Sequence, residues 1–466
     1  VVRSSSSSLS DLKMRLPVVL FVLIIHCVGI YCDDEPLFLT PYIKNGLTNE
    51  ARRLSVNLPL LGSVLSHSGF LTVNETTQNN LFFWYFPAEN DDGHSPVAVW
   101  LNGGPGCSSL YGALFEIGPY KLEGNWVTKR DHYWTKNMHV LFIDNPAGTG
   151  FSFTEGTDYP TNQDEVGRHL LNAVRQFFEI FPELLQRDFY IFGESYGGKY
   201  VPALAHYVHH YNKYAESTIN LRGISIGNGI IDPINQMIHG QHQYQLGLID
   251  ERDLVHMNDL ESEIVENIKA KRWRAAAAGF KEMFWNYKDE PDNLLLNNTG
   301  FKAHYNILQT DDDATAKLTR FMNRTEVKDV LHVGNLPFND GRISEDFLFE
   351  DLTKSVLPWF VEILSNYDVL LYSGQLDIIL PYPTQENFIR KMRWSGSSGY
   401  RNAPRKIWRV GEDIAGYTKT LYHRSGSKDL HFTHILVRSA GHIVPKDQPI
   451  AALDMITRFT SQKRPF

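Results

Sequence analysis

Hydrophobic positions along the chain fall into two alternating patterns. Short runs dense in β-branched and aromatic residues read as strands: "FLTVNE", "NLFFWYF", "VAVWL", "HVLFI", "DFYIF", "LRGISIG", "DVLLY", "KIWRV" and "THILVRS". Between many of them the apolar residues switch to helical spacing. In the clearest case Val166, Leu170, Val174, Phe177, Phe178 and Phe181 form one stripe, which Pro182 ends. Thr161, with Asp164 three residues on, reads as the capping box that starts this helix. A second helical run, "KYVPALAHYVHHYNKY", places Val201, Leu204, Ala205 and Val208 on one face, with Pro202 expected in its first turn. Strands alternating with helices predict an α/β architecture: a central mixed, mostly parallel sheet flanked by helices.

The interval from about residue 235 to 350 breaks the alternation. It is charged, offers no convincing strand, and contains helix-like stretches such as "ERDLVHMNDLESEIVENIKAKRWRAAAAGFKEMF". This pattern predicts a helical cap inserted between two halves of one sheet. The triplet Asp311 to Asp313 reads as a solvated loop within it. Ligands of such sheets bind outside the carboxyl ends of the strands, so a cap there is expected to wall the substrate site.

The first 32 residues stand apart from this pattern. Arg15 precedes an apolar stretch from Leu16 to Ile30 within the segment Met14 to Cys32. That length is short for a membrane span and suits a secretory signal peptide starting at Met14, cleaved after Gly29 or Cys32, with an uncleaved anchor as the alternative. The expected location is the secretory pathway, with delivery to a lysosome or storage granule open. The remaining 33–466 form the expected catalytic domain. In that setting the acceptor sequons at Asn74, Asn297 and Asn323 are candidate glycosylation sites.

Composition narrows the function classes. The 466 residues are 42% hydrophobic and carry a net charge of −8, without basic clusters, which argues against nucleic acid as a partner. No internal repeat is visible, and no stable membrane association is expected of the mature chain. Of three cysteines, Cys27 and Cys32 lie in the N-terminal segment and only Cys107 lies well inside the domain. No disulfide framework can be assumed, and stability must come from a large core.

The chemistry is announced by "GESYGGKYVP" directly after the strand "DFYIF". Gly193, Ser195 and Gly197 make a G-x-S-x-G pattern between a predicted strand and a predicted helix. Such a nucleophile elbow needs small neighbours because adjoining segments pass too close for a Cβ. A serine nucleophile requires a base, and the base an orienting carboxylate. In chain order after the elbow, Asp377 follows the strand "DVLLY" and His442 follows the strand "THILVRS", the Ser, Asp, His order of an α/β hydrolase. No H-x-x-E or H-E-x-x-H ligand spacing occurs, so neither metal nor cofactor is expected.

Taken together, "WLNGGPGCSSL", "LFEIGPY", "IDNPAGTGFSF", "GESYGGKYVP", "GISIGNGIIDP", "YSGQLDII" and "AGHIVPKDQP" resemble the serine carboxypeptidases. The "LHVGNLPFNDG" and "SGQLDII" segments and the scarcity of cysteine resemble the vitellogenic-like branch. The resemblance implies an α/β-hydrolase fold and a carboxypeptidase acting on peptides and proteins with a free C-terminus, favoured in acid. It implies Ser195 as nucleophile, His442 as base and Asp377 as its orienter, with the backbone N–H groups of Gly104 and Tyr196 as oxyanion hole. It further implies Trp100, Asn102, Glu116 and Glu194 as the set that binds the substrate carboxylate. Two glutamates can do so only by sharing a proton, since both cannot ionise cheaply in contact. Many relatives tie the cysteine of "NGGPGC" to the cap by a disulfide, a tether Cys107 lacks a partner for. An acyltransferase or a non-catalytic yolk or storage protein on the same fold are the alternatives; the intact triad and carboxylate-binding set argue against both.

Overall fold

The computed structural model describes residues 35–57, 63–284 and 293–461. The N-terminal segment with its signal-peptide reading, Cys27 and Cys32 lies outside them. All nine sequence-derived strands form: β1 (His67–Asn74), β2 (Asn79–Phe86), β3 (Val97–Leu101), β6 (His139–Ile143), β8 (Phe189–Glu194), β9 (Leu221–Gly227), β10 (Asp368–Gly374), β11 (Arg405–Val410) and β13 (Lys428–Val437). Four more were not legible. They are β4 (Tyr120–Glu123), β5 (Trp126–Lys129), the two-residue β7 (Phe153–Thr154), and the long β12 (Asp413–Ser425).

The main sheet runs in the order β1-β2-β6-β3-β8-β9-β10-β13-β12-β11, with β7 beside β2. Its centre, from β6 to β13, is entirely parallel. Antiparallel strands close both edges. Alternate residues of each central strand enter opposite cores, as the period-two geometry requires. Val97, Val99, Leu101, Ile191 and Ile224 join the core under the helices Gln163–Ile180 and Gly197–Tyr211. Ala98, Trp100, Tyr190, Phe192, Leu370 and Tyr372 join the other, beneath Pro449–Thr460.

From β3 the chain steps to β6 on one side and returns to β8 on the other. The carboxyl ends of β3 and β8 therefore flank a topological switch point, where α/β sheets open a crevice.

Two local expectations are corrected. The helix after Thr161 is capped by Asn162, whose side chain accepts the Glu165 N–H at 3.0 Å, while Glu165 Oε2 accepts the Thr161 N–H at 2.8 Å. The box is thus one residue later than the Thr161–Asp164 spacing suggested. Pro202 is the sixth residue of its helix, because that helix starts at Gly197, immediately after the elbow. Its missing N–H leaves the Gly198 carbonyl without an i+4 donor.

Between β9 and β10 the described residues form helices and no strand, among them Glu251–Lys269, Trp273–Phe284, Ala314–Met322, Thr325–Leu331 and Leu357–Leu364. Of the acidic triplet, Asp311 and Asp313 are exposed, but Asp312 is half-buried and pairs with Lys446 at 2.9 Å. It is a tie between this helical stretch and the loop after β13, and not a purely solvated residue. Among the described residues, no helix is long and apolar enough to cross a membrane.

Candidate active site

Strand β8 delivers Ser195 into a backbone conformation that side chains normally avoid, with φ of +59°. The turn is held by the Ser195 N–H on the Gly227 carbonyl (2.9 Å) and by the Ser195 carbonyl, which accepts from Gly198 (2.9 Å) and Ile230 (3.1 Å). Its glycines are required by crowding. A Cβ on Gly193 would sit 2.5 Å from the Leu101 carbonyl oxygen, and one on Gly197 2.7 Å from the same atom. This is the elbow expected from "GESYGG", and strand β3 is what crowds it.

The loop after β3 lies against the elbow. A Cβ on Gly103 would be 2.4 Å from the Tyr196 nitrogen and 2.7 Å from the Ser195 Cβ. Gly104, with φ of +103°, follows directly. The segments carrying the two candidate oxyanion donors, Gly104 and Tyr196, are therefore in van der Waals contact. The same loop meets the helical insertion back to back. Gly106 and Gly341 both have φ near +90°, and a Cβ on either would fall within 2.3 Å of the other's carbonyl oxygen.

Asp377 and His442 come together from the ends of β10 and β13, which are neighbours in the sheet. His442 Nδ1 is 2.8 Å from Asp377 Oδ2. Asp377 is wholly buried and collects further donors: the Ile379 and Leu380 N–H groups at 2.9 and 3.1 Å, and the Asn228 amide. The His442 ring stacks on Tyr305 with centroids 5.6 Å apart. Its Nε2 is buried without a hydrogen-bond partner among the described residues. Ser195, His442, Gly104, Asn102, Glu194 and Tyr305 line one cavity of about 290 Å³. The free Nε2 thus borders the space that Ser195 borders.

The four residues expected to bind a carboxylate form one connected group beside this triad. Trp100 Nε1 donates to Asn102 Oδ1 at 2.8 Å, which also accepts the Gly112 N–H at 3.0 Å and so fixes the amide orientation. Asn102 Nδ2 then donates to both Glu116 Oε1 (2.9 Å) and Glu194 Oε1 (3.0 Å). Both glutamates are buried, and among the described residues the second oxygen of each has no donor. Burial pushes Glu116 up to about 7, against the opposing hydrogen bonds from Asn102 and Glu194. Burial, together with the charge of Glu116, raises Glu194 well above the usual carboxylate range. A proton held between the two carboxyls satisfies the oxygens that lack donors.

Three supporting groups escaped sequence reasoning, although the segments of the first two stand in the quoted motifs. Asn228 of "GISIGNGIIDP" links Asp377 to the Gly374 N–H, which its Oδ1 accepts at 3.1 Å. Asp144 of "IDNPAGTGFSF" is buried and accepts from Ser108 Oγ (2.5 Å), Ser109 N (3.0 Å) and Phe151 N (2.9 Å). It staples the loop after β3 to the loop after β6, and burial pushes it up to about 7. Asp351, from the helical insertion, accepts the Tyr196 hydroxyl at 2.6 Å and pairs with buried Lys199 at 3.3 Å. Desolvation lowers Lys199 to about 8.

Cys107 lines the cavity as a free thiol, which burial keeps protonated. Of the sequon asparagines, Asn297 and Asn323 are exposed and Asn74 is half-buried. Asn74 Oδ1 accepts the Thr76 and Thr77 N–H groups, and Asn323 Oδ1 accepts the Phe338 N–H.

Known proteins align with this chain along most of its length. Residues 60–462 match the family model described as serine carboxypeptidase. The venom serine carboxypeptidase of Apis mellifera is 43% identical over 446 residues, covering 94% of each chain. The vitellogenic carboxypeptidase of Aedes aegypti is 43% identical over 437 residues, 92% of this chain and 90% of its own. Among solved structures, a prohormone-processing carboxypeptidase from Saccharomyces cerevisiae superposes with a TM-score of 0.72 at 25% identity, covering 87% of this chain and 94% of that one. Sequence, architecture and this yeast structure converge over the same residues, and the chain belongs to the serine carboxypeptidase family.

Proposed function

We propose that the protein removes single residues from peptide C-termini through an acyl-enzyme on Ser195. The observation that carries this reading is the adjacency of Glu194 and Ser195, which face one cavity with Asn102 and His442. A group able to grip a carboxylate stands one residue from a nucleophile. The bond presented to Ser195 is then the one nearest the chain end.

Ser195 Oγ attacks the scissile carbonyl carbon while His442 Nε2 takes the hydroxyl proton. The N–H groups of Gly104 and Tyr196 receive the oxyanion, preorganised by the contact between their segments. Asp377 accepts the His442 Nδ1–H and stabilises the imidazolium. His442 then hands its proton to the leaving amine, and the C-terminal amino acid departs. A water molecule, deprotonated by the same nitrogen, attacks the acyl carbon and frees Ser195.

The protonated Glu116–Glu194 pair donates a hydrogen bond to the substrate carboxylate, with the Asn102 amide beside it. As pH rises through about 7 Glu116 ionises, and the negative charge this brings to the pair repels the substrate. Peptide acids are therefore cleaved best in acid, while His442 must stay neutral to act as base. The apolar run from Leu16 to Ile30 supports secretion, as do the venom and vitellogenic names of the relatives. Glycosylation at Asn297, the exposed sequon whose amide makes no described hydrogen bond, belongs to the same reading.

The decisive experiment pairs a fluorophosphonate probe with a matched set of peptide acids and peptide amides. Labelling at Ser195 with loss of activity is expected, and activity on amides should outlast activity on acids as pH rises to 8. Labelling elsewhere sinks the serine mechanism. Identical pH profiles for acids and amides sink the carboxylate-pair account.

A further inference from the structure

The helix that starts at the elbow carries His206 and His210, one turn apart, near its far end. Residues at i and i+4 share a helix face. Facing them is Glu362, on the helix Leu357–Leu364 that leads into β10. His206 Nδ1 lies 2.5 Å from Glu362 Oε2, and His210 Nε2 lies 2.9 Å from Glu362 Oε1. The two imidazole centroids are 4.4 Å apart. The His206 ring is set by a stack on Trp359, at 4.9 Å and 20°. His209, which also projects from this helix, turns away to the Tyr367 hydroxyl at 2.9 Å. Among the described residues, this is the group of three ligand-bearing side chains whose donor atoms all lie within 4.8 Å of one another.

We propose that His206, His210 and Glu362 form a binding site for a divalent transition metal of the zinc class, clamping the elbow helix to the helix before β10. Two imidazoles and one carboxylate suit zinc and do not suit magnesium or calcium, which prefer oxygen-only cages. A tetrahedral ion with bonds of about 2.0–2.2 Å spaces its ligand atoms about 3.4 Å apart. His206 Nδ1 and Glu362 Oε2 now lie closer than that, and the ligand atoms of all three residues lie within 4.8 Å of one another. All three side chains are partly open, 23%, 44% and 27% exposed, so solvent can supply the fourth ligand.

The clamp joins the two elements that end at the chemistry. One helix begins two residues after Ser195, and the other feeds the strand that precedes Asp377. Its place on the outer side of the elbow helix makes the ion a structural tie and leaves the serine chemistry untouched.

The test uses the full-length protein, freed of metal by dialysis against a chelator and held at pH 7.5. Zinc chloride should bind at one ion per chain in equilibrium dialysis, and magnesium should not compete. At a hundredfold excess over Kd, zinc should raise Tm by about 2–4 °C. His210→Gln and Glu362→Gln should abolish both effects. Cobalt(II) gives a reading independent of any variant: an intense visible absorption band, bleached by zinc, marks a tetrahedral site with nitrogen ligands. Failure of the wild-type protein to bind zinc overturns the proposal. So does one-to-one binding that persists in both variants, or a cobalt spectrum no stronger than that of the hydrated ion.

Discussion

Two buried carboxylate sites lie within one cavity's reach and are handled in opposite ways. Asp377 is surrounded by donors: the His442 ring, the Asn228 amide and two backbone N–H groups. Glu116 and Glu194 are equally buried but share a single amide nitrogen, that of Asn102, and face one another. The difference teaches that burial alone does not set what a carboxyl does. Where donors are plentiful, an acid serves as a fixed negative charge that orients an imidazole. Where they are withheld, two acids hold a proton and become a donor to something else. Under the proposed function, one site prepares chemistry at Ser195 and the other selects what is brought there.

The contrast can be broken from either side. Asp377→Asn removes the fixed charge and should lower kcat about 10⁴-fold with KM little changed, as read from steady-state kinetics on a dipeptide acid. A loss under tenfold would mean that His442 is oriented by something else.

Glu194→Gln acts on the other site and should leave kcat within about tenfold. Its signature is in KM for peptide acids, which rises with pH in the wild-type protein and should run nearly flat from pH 5 to 8 in the variant. A variant whose KM still climbs with pH would place the titrating group elsewhere.

Stability sharpens the same point. Glu116, raised to about 7, Asp144, also raised to about 7, and Glu194, raised further, keep protons that the unfolded chain releases near its ordinary carboxylate values. Their contribution is complete below about pH 4 and fades as pH rises through about 7. Tm should therefore drop by a few degrees between pH 5 and pH 8, and Glu194→Gln should shrink that drop. A Tm that rises over this interval would contradict protonated acids in the folded state.

The smallest effect concerns Cys107, whose thiol is free. A mild reductant should move Tm by less than about 1 °C and leave turnover unchanged, because Cys107 has no disulfide partner among the described residues. A large fall on reduction would reveal a bridge.

How much of this was legible depends on how local each signal is. Most of the nine recognised strands are apolar and buried, and their composition declares them, while β11 is mostly exposed. Strand β12 is the longest in the sheet, yet its sequence "DIAGYTKTLYHRS" is mostly polar and its residues only partly buried. It exists because β13 and β11 flank it, a cause no window of sequence contains. β4 and β5 form a separate, largely exposed pair, with the same result. Ser195, Asp377 and His442 were readable as candidates because each follows a strand closely, whereas Trp100, Asn102, Glu116 and Glu194 were named only through the family resemblance. Asn228 and Asp144 were in plain view within quoted motifs, but their roles need knowledge of which loops touch. Asp351 and Asp312 were hidden more deeply. They act on the site from a helical stretch whose charges read as solvated until the chain is folded over the cavity.

Gly106 and Gly341 carry a lesson for anyone wishing to recombine this protein with its relatives. The helical stretch between β9 and β10 looks like an exchangeable module, bounded by two strands and rich in surface residues. It is riveted to the oxyanion loop through two glycines that leave no room for a single extra carbon. A transplanted segment must bring a glycine of the same left-handed conformation to the Gly341 position, or the loop holding Gly104 is pushed off the elbow. The crossover points of a working chimera are therefore dictated by a contact far from either end of the exchanged piece.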